Sequence, residues 1–543
     1  MSNTTFQESL HNFFTAEEEI PQEFRIEEIH QREYLSNGEL KPWDGPVSKV
    51  YSPILVPGQE GWERKMIGTY PIGTVKEAMD ALDAAIAAYD NGRGEWPTMS
   101  VSGRIKCMEK FVYKMVEQRA LVVKLIMWEI GKSYADSTKE FDRTVEYINS
   151  TIDALKDVDR QSSRFEIKDG VVAQIRRSPL GVVLCMGPFN YPLNETYTTL
   201  IPAILMGNTL LFKPPKHGTL LHYPLLNAFK EAFPKGVVNT IYGRGADVTP
   251  ALMESGKVNV LAFIGSSKVA NDLKKRHPKI NRLRAVLSLD AKNAAVITPH
   301  ADIKLAVSES ILGALSYNGQ RCTALKIFFV HKDVADKYLE ELSNTIAQMK
   351  FGLPWVKGVQ LTPVAEPGKP TYLKDCIDDA IANGATVVNE NGGASNASFV
   401  YPAVVYPVNS KMKLYREEQF GPVIPVVPYN NLEEVIDYLI ESPHGQQISV
   451  FSNDAKEVSE LIDPLVNLVS RVNINSQSQR GPDAFPFTGR KDSAEGTLSV
   501  TDALRSFSIR SLVTTKMTET NKQLFNDIVR NHDSNFLSTD FIF

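Results

Sequence analysis

The stretch YNGQRCTALK, residues 317–326, sets Cys322 between a permanent cation, Arg321, and a threonine, just past a glycine that should end or interrupt a helix. A structural thiol usually sits inside an apolar periodic run. A polar, glycine-containing segment beside a guanidinium favours thiolate over thiol, and the thiolate is the nucleophile. Taken alone, the ten residues serve equally well as the capping region of a helix. In GPFNYPLN, Asn190 falls in a strand-to-helix turn, where a carboxamide can donate hydrogen bonds into a cleft or simply form the turn. FKPPK supplies Lys213 and Lys216 after another strand, either as solvated surface lysines or as a pair that attracts phosphate. In FIGSS, Gly265 and Ser266 follow a strand and precede a helix. Backbone donors there can meet a pyrophosphate, and an ordinary helix N-cap is the competing reading. YGRGADV does not complete a glycine-rich dinucleotide fingerprint.

The elements that must hold these residues can be read from the apolar spacing. Short apolar runs, GVVLCMG, NTLLFKP, VVNTIYG and VNVLAFIG, alternate with helical segments, as in a parallel, doubly wound α/β sheet. Ligands of such sheets sit beyond the strands' C-terminal ends, where Asn190, Lys213, Gly243 and Gly265 fall. A second α/β series runs from about residue 290 to 490 and includes KIFFVHK, ATVVNE, PVIPVVPY, QISVFSN and SRVNINS. The boundary near 290 carries no linker, so two domains sharing a cleft are expected. Before the first series, Thr74 and Glu77 form a capping-box spacing ahead of a helix with Ala78, Leu82, Ala85, Ile86 and Tyr89 on one face. RFEIKDGVVAQIRR reads as a hairpin turning at Asp169-Gly170. Residues 1–50 are polar and irregular and read as an arm or a partly ordered extension.

Composition narrows the function. A formal charge of −5 and a pI near 6.1 give no reason to expect a nucleic-acid partner. No apolar run reaches the ~18 residues of a membrane span, and the first twenty residues lack a secretory pattern. The four cysteines, 107, 185, 322 and 376, show neither pairing nor metal-ligand spacing, so a reducing cytoplasm and no metal are expected; all except Cys322 read as core.

In order along the chain, GPFNYP, FKPP, FIGS, GQRC and EEQFGPV resemble the aldehyde dehydrogenase superfamily over roughly residues 50 to 515. INSQSQRGPDAFPF and the tyrosine of PFNYP narrow the resemblance to its NADP-dependent, non-phosphorylating glyceraldehyde-3-phosphate dehydrogenase branch. The resemblance implies an α/β fold of two doubly wound domains plus a small β oligomerisation element. The implied boundaries are an N-terminal extension over 1–50, a cofactor-binding domain over 51–159 and 179–289, and a catalytic domain over 290–490. The oligomerisation element covers 160–178 and 491–515, with a C-terminal tail over 516–543, in a homodimer or homotetramer. It makes Cys322 the nucleophile and puts the Asn190 amide in an oxyanion hole with the Cys322 N–H. Lys213 would approach the cofactor ribose or phosphate, Gly265 and Ser266 the pyrophosphate, and Glu418 with Phe420 the nicotinamide end. Lys216 stands where other members carry an acid that would repel a 2′-phosphate, so NADP is expected ahead of NAD. A substrate phosphate would meet Arg143, Tyr191, Arg321 and Arg480.

One departure stands out. Hydrolytic relatives read Glu-Leu-Gly-Gly-Lys where this chain has SLDAK, so the position of the general base is Ser288 and the glycines become Asp290 and Ala291. On a strand, Asp290 would share the face of Ser288 and could supply a replacement carboxylate. Alternatively the acyl group passes to coenzyme A, as in semialdehyde dehydrogenases that also lack the Glu and read Ala-Lys-Asn at the positions of Ala291, Lys292 and Asn293. A nucleotide-binding scaffold without catalysis is the third reading. The expectation is NADP-dependent oxidation of a small phosphorylated aldehyde, glyceraldehyde 3-phosphate first.

Overall fold

The computed structural model describes residues 3–59 and 61–542. Its first large sheet has the spatial order Val238–Thr240, Thr209–Lys213, Val182–Met186, Val260–Ile264, Arg284–Ser288, all parallel, closed at one edge by the antiparallel strand Ala494–Glu495. The order reverses between Val182–Met186 and Val260–Ile264, and such a switch point opens a crevice beyond the strand ends. Helices cover both faces, so every residue of Val182–Met186 is buried and apolar. The capping box at Thr74 and Glu77 is present, and the helix behind it, Val75–Tyr89, buries Ala78, Leu82 and Ala85.

The chain leaves the first sheet at Ser288 and enters the second at Asn293. That sheet runs Thr386–Val387, Ala403–Tyr406, Val423–Tyr429, Leu325–His331, Asn293–Ile297, Gln447–Phe451, Arg471–Ile474, parallel except for its first, short edge strand. The segment expected as the strand ATVVNE contributes only that two-residue edge. A third sheet pairs the hairpin Phe165–Lys168 and Val171–Pro179 with Ser508–Lys516. Its turn has positive φ at both Asp169 (50°) and Gly170 (76°), which matches the twist of the flanking strands.

The two ends of the chain differ from expectation. The N-terminal segment is held against the rest of the chain by a few buried side chains rather than standing off as an arm. Helix Asn3–His11 buries Phe6 and Leu10, and Phe13 and Phe14 follow them into the core. The Phe6 ring lies 4.8 Å from Tyr401 and 5.4 Å from Phe351, and Phe13 stacks 4.4 Å from Phe399. Strand Val47–Gly58 runs through the boundary expected at residue 50. Beyond helix Glu519–Arg530 the tail folds back, so that Leu537 is buried and Arg176 donates to the carbonyls of Ser538 and Asp540. No helix among the described residues is long and apolar enough to cross a membrane.

Candidate active site

Three successive left-handed residues, Tyr317 (φ 49°), Asn318 (54°) and Gly319 (71°), lift the chain out of helix Ile303–Leu315 toward Cys322. Only glycine fits the third position. A Cβ on Gly319 would lie 2.7 Å from the carbonyl oxygens of both Ala314 and Gly421. Side chains hold the strained turn in place. The Tyr317 hydroxyl donates to Ile130 O (2.9 Å), Asn318 exchanges hydrogen bonds with the backbone of Thr362 (2.9 and 3.0 Å), and Gln320 Oε1 accepts from Ala365 N (3.1 Å). After Cys322, Asn293 Nδ2 and Lys326 Nζ both donate to its carbonyl, at 2.9 and 2.7 Å. Non-glycine residues in this region of φ are costly and persist only where surrounding contacts over-determine them.

Asn190 comes from the first sheet's switch point and is buried. One hydrogen of its Nδ2 goes to Gln320 O (2.8 Å), two residues before the cysteine, which leaves the second amide hydrogen for a ligand. The Cys322 N–H makes no hydrogen bond among the described residues. Asn190 is itself fixed by a lysine that the sequence did not single out. Lys132, 1% exposed, donates to Asn190 O (2.8 Å), pairs with Glu140 (2.5 Å) and lies 3.5 Å over the Tyr191 ring. The other Glu140 oxygen accepts from Leu193 N and Asn194 N at the start of helix Asn194–Leu205. Removing one partner of a buried pair of this kind costs about 3–5 kcal/mol. Lys132 lies in IGKS, a stretch with no recognisable motif.

The expected thiolate is corrected by the surroundings of Cys322. Arg321 turns away, its NH2 donating to Leu312 O and Gly313 O (2.9 and 2.8 Å). Desolvation, reinforced by the nearby Glu195 carboxylate, pushes the half-buried thiol up to about 11; Lys326 and Arg480 oppose the shift without cancelling it. Burial thus favours the thiol over the thiolate in the unliganded protein.

Ser288 is the last residue of strand Arg284–Ser288, buried, with its carbonyl accepting from Gly265 N (3.1 Å). The strand stops there, so Asp290 does not share its face. The Asp290 carboxylate instead accepts from Ser267 N and Ser267 Oγ, both at 2.7 Å, in the first turn of helix Ser267–Arg276. Ser266 caps that helix through Val269 N (3.4 Å). Of the two alternatives for this corner the N-cap is present, and the Gly265 N–H is already given to Ser288 O. Glu418 pairs with Lys326 (2.7 Å) and accepts from Ala291 N (3.3 Å). Phe420 (φ 47°) sets its ring 5.8 Å from Phe189. Lys292 Nζ, lowered to about 7 by burial and then by Lys326, donates to Glu417 O and Gln419 Oε1, both 2.6 Å. Lys292 and Lys326 lie inside the segments SLDAK and YNGQRCTALK, but sequence alone did not show them bracing the loops.

Lys213, at the end of its strand, lies 3.8 Å from the position of a Cβ on Gly245, and burial alone lowers it to about 8. Among the described residues no carboxylate pairs with it. Lys216 is exposed. Opposite this crevice, Arg143 contacts Asp483 at 3.0 and 3.4 Å. Arg480, 6% exposed, bonds Glu195 through NH1, stands 3.4 Å from Asp483 through Nε, and donates to Leu498 O (3.2 Å). Tyr191 lies under Lys132, its ring 6.1 Å from Tyr317. The structure thus gathers Cys322, Asn190, Tyr191, Glu418 and Phe420, and separately Gly265, Ser266 and Asp290, with Lys213 at the end of a strand on the other side of Val182–Met186. Arg143 and Arg480 meet at Asp483, while Arg321 spends its NH2 on backbone.

The aldehyde dehydrogenase family model matches residues 58–513. An NADP-dependent glyceraldehyde-3-phosphate dehydrogenase of Streptococcus equinus is 32% identical over 488 residues, 89% of this chain and 97% of that protein. Malonate-semialdehyde dehydrogenase 2 of Oceanobacillus iheyensis is 29% identical over 464 residues, 83% of this chain and 93% of that protein. Among solved structures, the NADP-dependent glyceraldehyde-3-phosphate dehydrogenase of Bacillus halodurans, complexed with NADP, superposes with a TM-score of 0.81 at 28% identity, covering 90% of this chain and all of that one (100%).

Proposed function

We propose that this chain, which belongs to the aldehyde dehydrogenase family, oxidises a small phosphorylated aldehyde, glyceraldehyde 3-phosphate first, to its acid with NADP. The observation that carries this reading is the Asn190 amide bonded to Gln320 O in the loop of Cys322, with Arg143 and Arg480 gathered at Asp483. The residues present fit the cofactor. Lys213 is a half-buried cation with no carboxylate partner among the described residues, which suits a ribose hydroxyl or phosphate, and exposed Lys216 suits a 2′-phosphate. NADP, when bound, supplies the hydride acceptor and, through its cationic ring, a pull on the nearby thiol.

Cys322 Sγ gives its proton to solvent and attacks the aldehyde carbon. The resulting oxyanion is held by the free hydrogen of Asn190 Nδ2 and by the Cys322 N–H, groups already aimed and already dehydrated. Collapse of that oxyanion expels hydride and leaves a thioester on Cys322, which water cleaves to the acid and the thiol. Glu418, anchored by Lys326 and the Ala291 N–H, and Phe420 orient the nicotinamide end. The exposed apolar residues Ile167, Ile509, Leu512 and Val513 on the third sheet suit it to joining copies of the chain as a dimer or tetramer.

A specific observation favours a second acceptor. Ser288 is uncharged and Asp290 is engaged by Ser267, so neither is placed to activate water, and transfer of the acyl group to coenzyme A is the alternative outcome. The test is NADP reduction with glyceraldehyde 3-phosphate and with unphosphorylated semialdehydes, each with and without coenzyme A. Fast reduction of NADP only by the phosphorylated aldehyde, unaffected by coenzyme A, supports the first reading. Activity that needs coenzyme A and a semialdehyde replaces it with the second, and tight NADP binding without reduction by any aldehyde leaves the scaffold.

A further inference from the structure

The arginines assigned to the substrate phosphate are not free. Arg143 is held by Asp483 at two points, and Arg480 is held by Asp483 and Glu195. Asp483 comes from the same SQRGPD segment as Arg480. Glu195 comes from elsewhere: it sits in the first turn of helix Asn194–Leu205, and its N–H donates to Tyr191 O at 3.1 Å. Tyr191 and Glu195 therefore lie on one turn, and a phosphate that reaches both Tyr191 and Arg480 arrives beside the Glu195 carboxylate. Arg480 has spent its Oε2-facing NH1 on Glu195, and its Nε, although 3.4 Å from Asp483, has no well-formed hydrogen bond.

We propose that Glu195 is a specificity-determining residue, the resident counter-ion of Arg480, which a phosphorylated substrate must displace or neutralise in order to bind. This rests on the phosphorylated-aldehyde reading and sharpens it. Two anions on one guanidinium repel, so the carboxylate weakens the binding of an incoming phosphate and holds its affinity down, while a neutral substrate, which does not compete for Arg480, is little affected. The groups facing Glu195 are Arg480 and Asp483 from the segment after strand Arg471–Ile474, and Arg143, Glu140 and Tyr147 from helix Tyr134–Ser162, with Lys132 and Cys322 close by. Burial raises its carboxyl above the usual range, against the pull of Arg480 and Arg143, and Asp483 and Glu140 add to the rise. Phosphate binding, which adds negative charge and takes Arg480 away, raises it further. Glu195 then takes up a proton as the phosphate seats.

Two consequences can be measured. For wild type, KM for glyceraldehyde 3-phosphate rises with pH as Glu195 ionises. Glu195→Gln keeps an acceptor for Arg480 but removes the charge, and should lower that KM about tenfold at pH 8 and flatten its pH profile. KM for unphosphorylated glyceraldehyde should move less than twofold. Glu195→Asp, which keeps the charge, should retain the wild-type pH profile. An unchanged or higher KM in Glu195→Gln, or equal shifts for both aldehydes, would overturn the proposal, as would a kcat loss of about 10² that marks Glu195 as part of the chemistry. Calorimetry with inorganic phosphate, in two buffers of different ionisation enthalpy, needs no turnover, and Glu195→Gln reports the proton exchange of the phosphate itself. Proton uptake by wild type in excess of that in Glu195→Gln is the expected result. Binding without that excess sinks the counter-ion role even if aldehyde oxidation is confirmed, and the excess in a protein that oxidises no phosphorylated aldehyde faults the substrate reading instead.

Discussion

The loop that carries Cys322 and the loop that carries SLDAK face the same reaction space, yet they are held for different ends. The nucleophile loop spends its polar side chains on fixing backbone: Tyr317, Asn318 and Gln320 each anchor to a different segment, and the reactive groups, Sγ and the Cys322 N–H, are left uncommitted. In SLDAK the reverse holds. Its one carboxylate is committed to Ser267, its lysine to Glu417 and Gln419, and the residue at the base position is a buried serine. On the proposed reading, the Cys322 loop would serve formation of a thioester, while SLDAK offers no uncommitted carboxylate for hydrolysing it. A chain can thus keep one half of a two-step reaction intact and alter the other.

The comparison is broken most severely through Cys322. Cys322→Ser should abolish aldehyde-dependent NADP reduction while NADP binding, followed by fluorescence, stays near wild type; substantial turnover in this variant would remove the cysteine from the mechanism. In the free protein the raised thiol should alkylate slowly at neutral pH. Because the thiolate is the reactive form and its fraction grows as pH climbs toward about 11, the rate of Cys322 modification by iodoacetamide should rise close to tenfold per pH unit between 7 and 10. A plateau near pH 8 would mean that the thiolate is already stabilised. Asn190→Ala should cost about 10²–10³ in kcat, since it removes one of two oxyanion donors.

On the other loop, wild type should show a pre-steady-state burst of reduced cofactor followed by slow turnover, and Ser288→Glu should raise the slow phase by up to about 10² without altering the burst. No burst would place the limiting step elsewhere. The smallest effect belongs to Asp290. Asp290→Asn keeps an acceptor for Ser267 but removes a negative charge from the crevice, so KM for NADP should fall severalfold and the slow phase should not change. A slower steady rate would restore Asp290 as the base.

Much of this could be read in the sequence, because chemistry and strand ends coincide in this fold. GVVLCMG, NTLLFKP and VNVLAFIG are buried on both faces, so their apolar runs are unbroken and each next polar residue falls at the crevice. Asp290 was misplaced because periodicity does not say where a strand stops, and this one stops at Ser288, where the chain crosses to the second sheet. Glu195 lies five residues beyond Asn190 and was passed over because its partner, Arg480, is 285 residues away. The buried N-terminal helix was missed for a similar reason. Phe6, Leu10, Phe13 and Phe14 have helical spacing, but polar neighbours dilute it and the surface they fill lies far along the chain.

That distance has a consequence for how the protein is made. Asn396, whose amide donates to Leu10 O at 2.7 Å, is 386 residues later in the chain. At translation rates of about 5–20 residues per second, the partner surface follows the N-terminal segment by about 20–80 s. A nine-residue helix such as Asn3–His11 is too short to persist in water alone, so during this interval the segment is an unstructured chain displaying Phe6, Phe13 and Phe14. Those aromatics are available to chaperones, or to another nascent chain, until Phe351, Phe399 and Tyr401 have emerged and folded. Slowing synthesis between residues 14 and 399 should therefore raise aggregation of the full-length chain more than that of a chain lacking the aromatic segment.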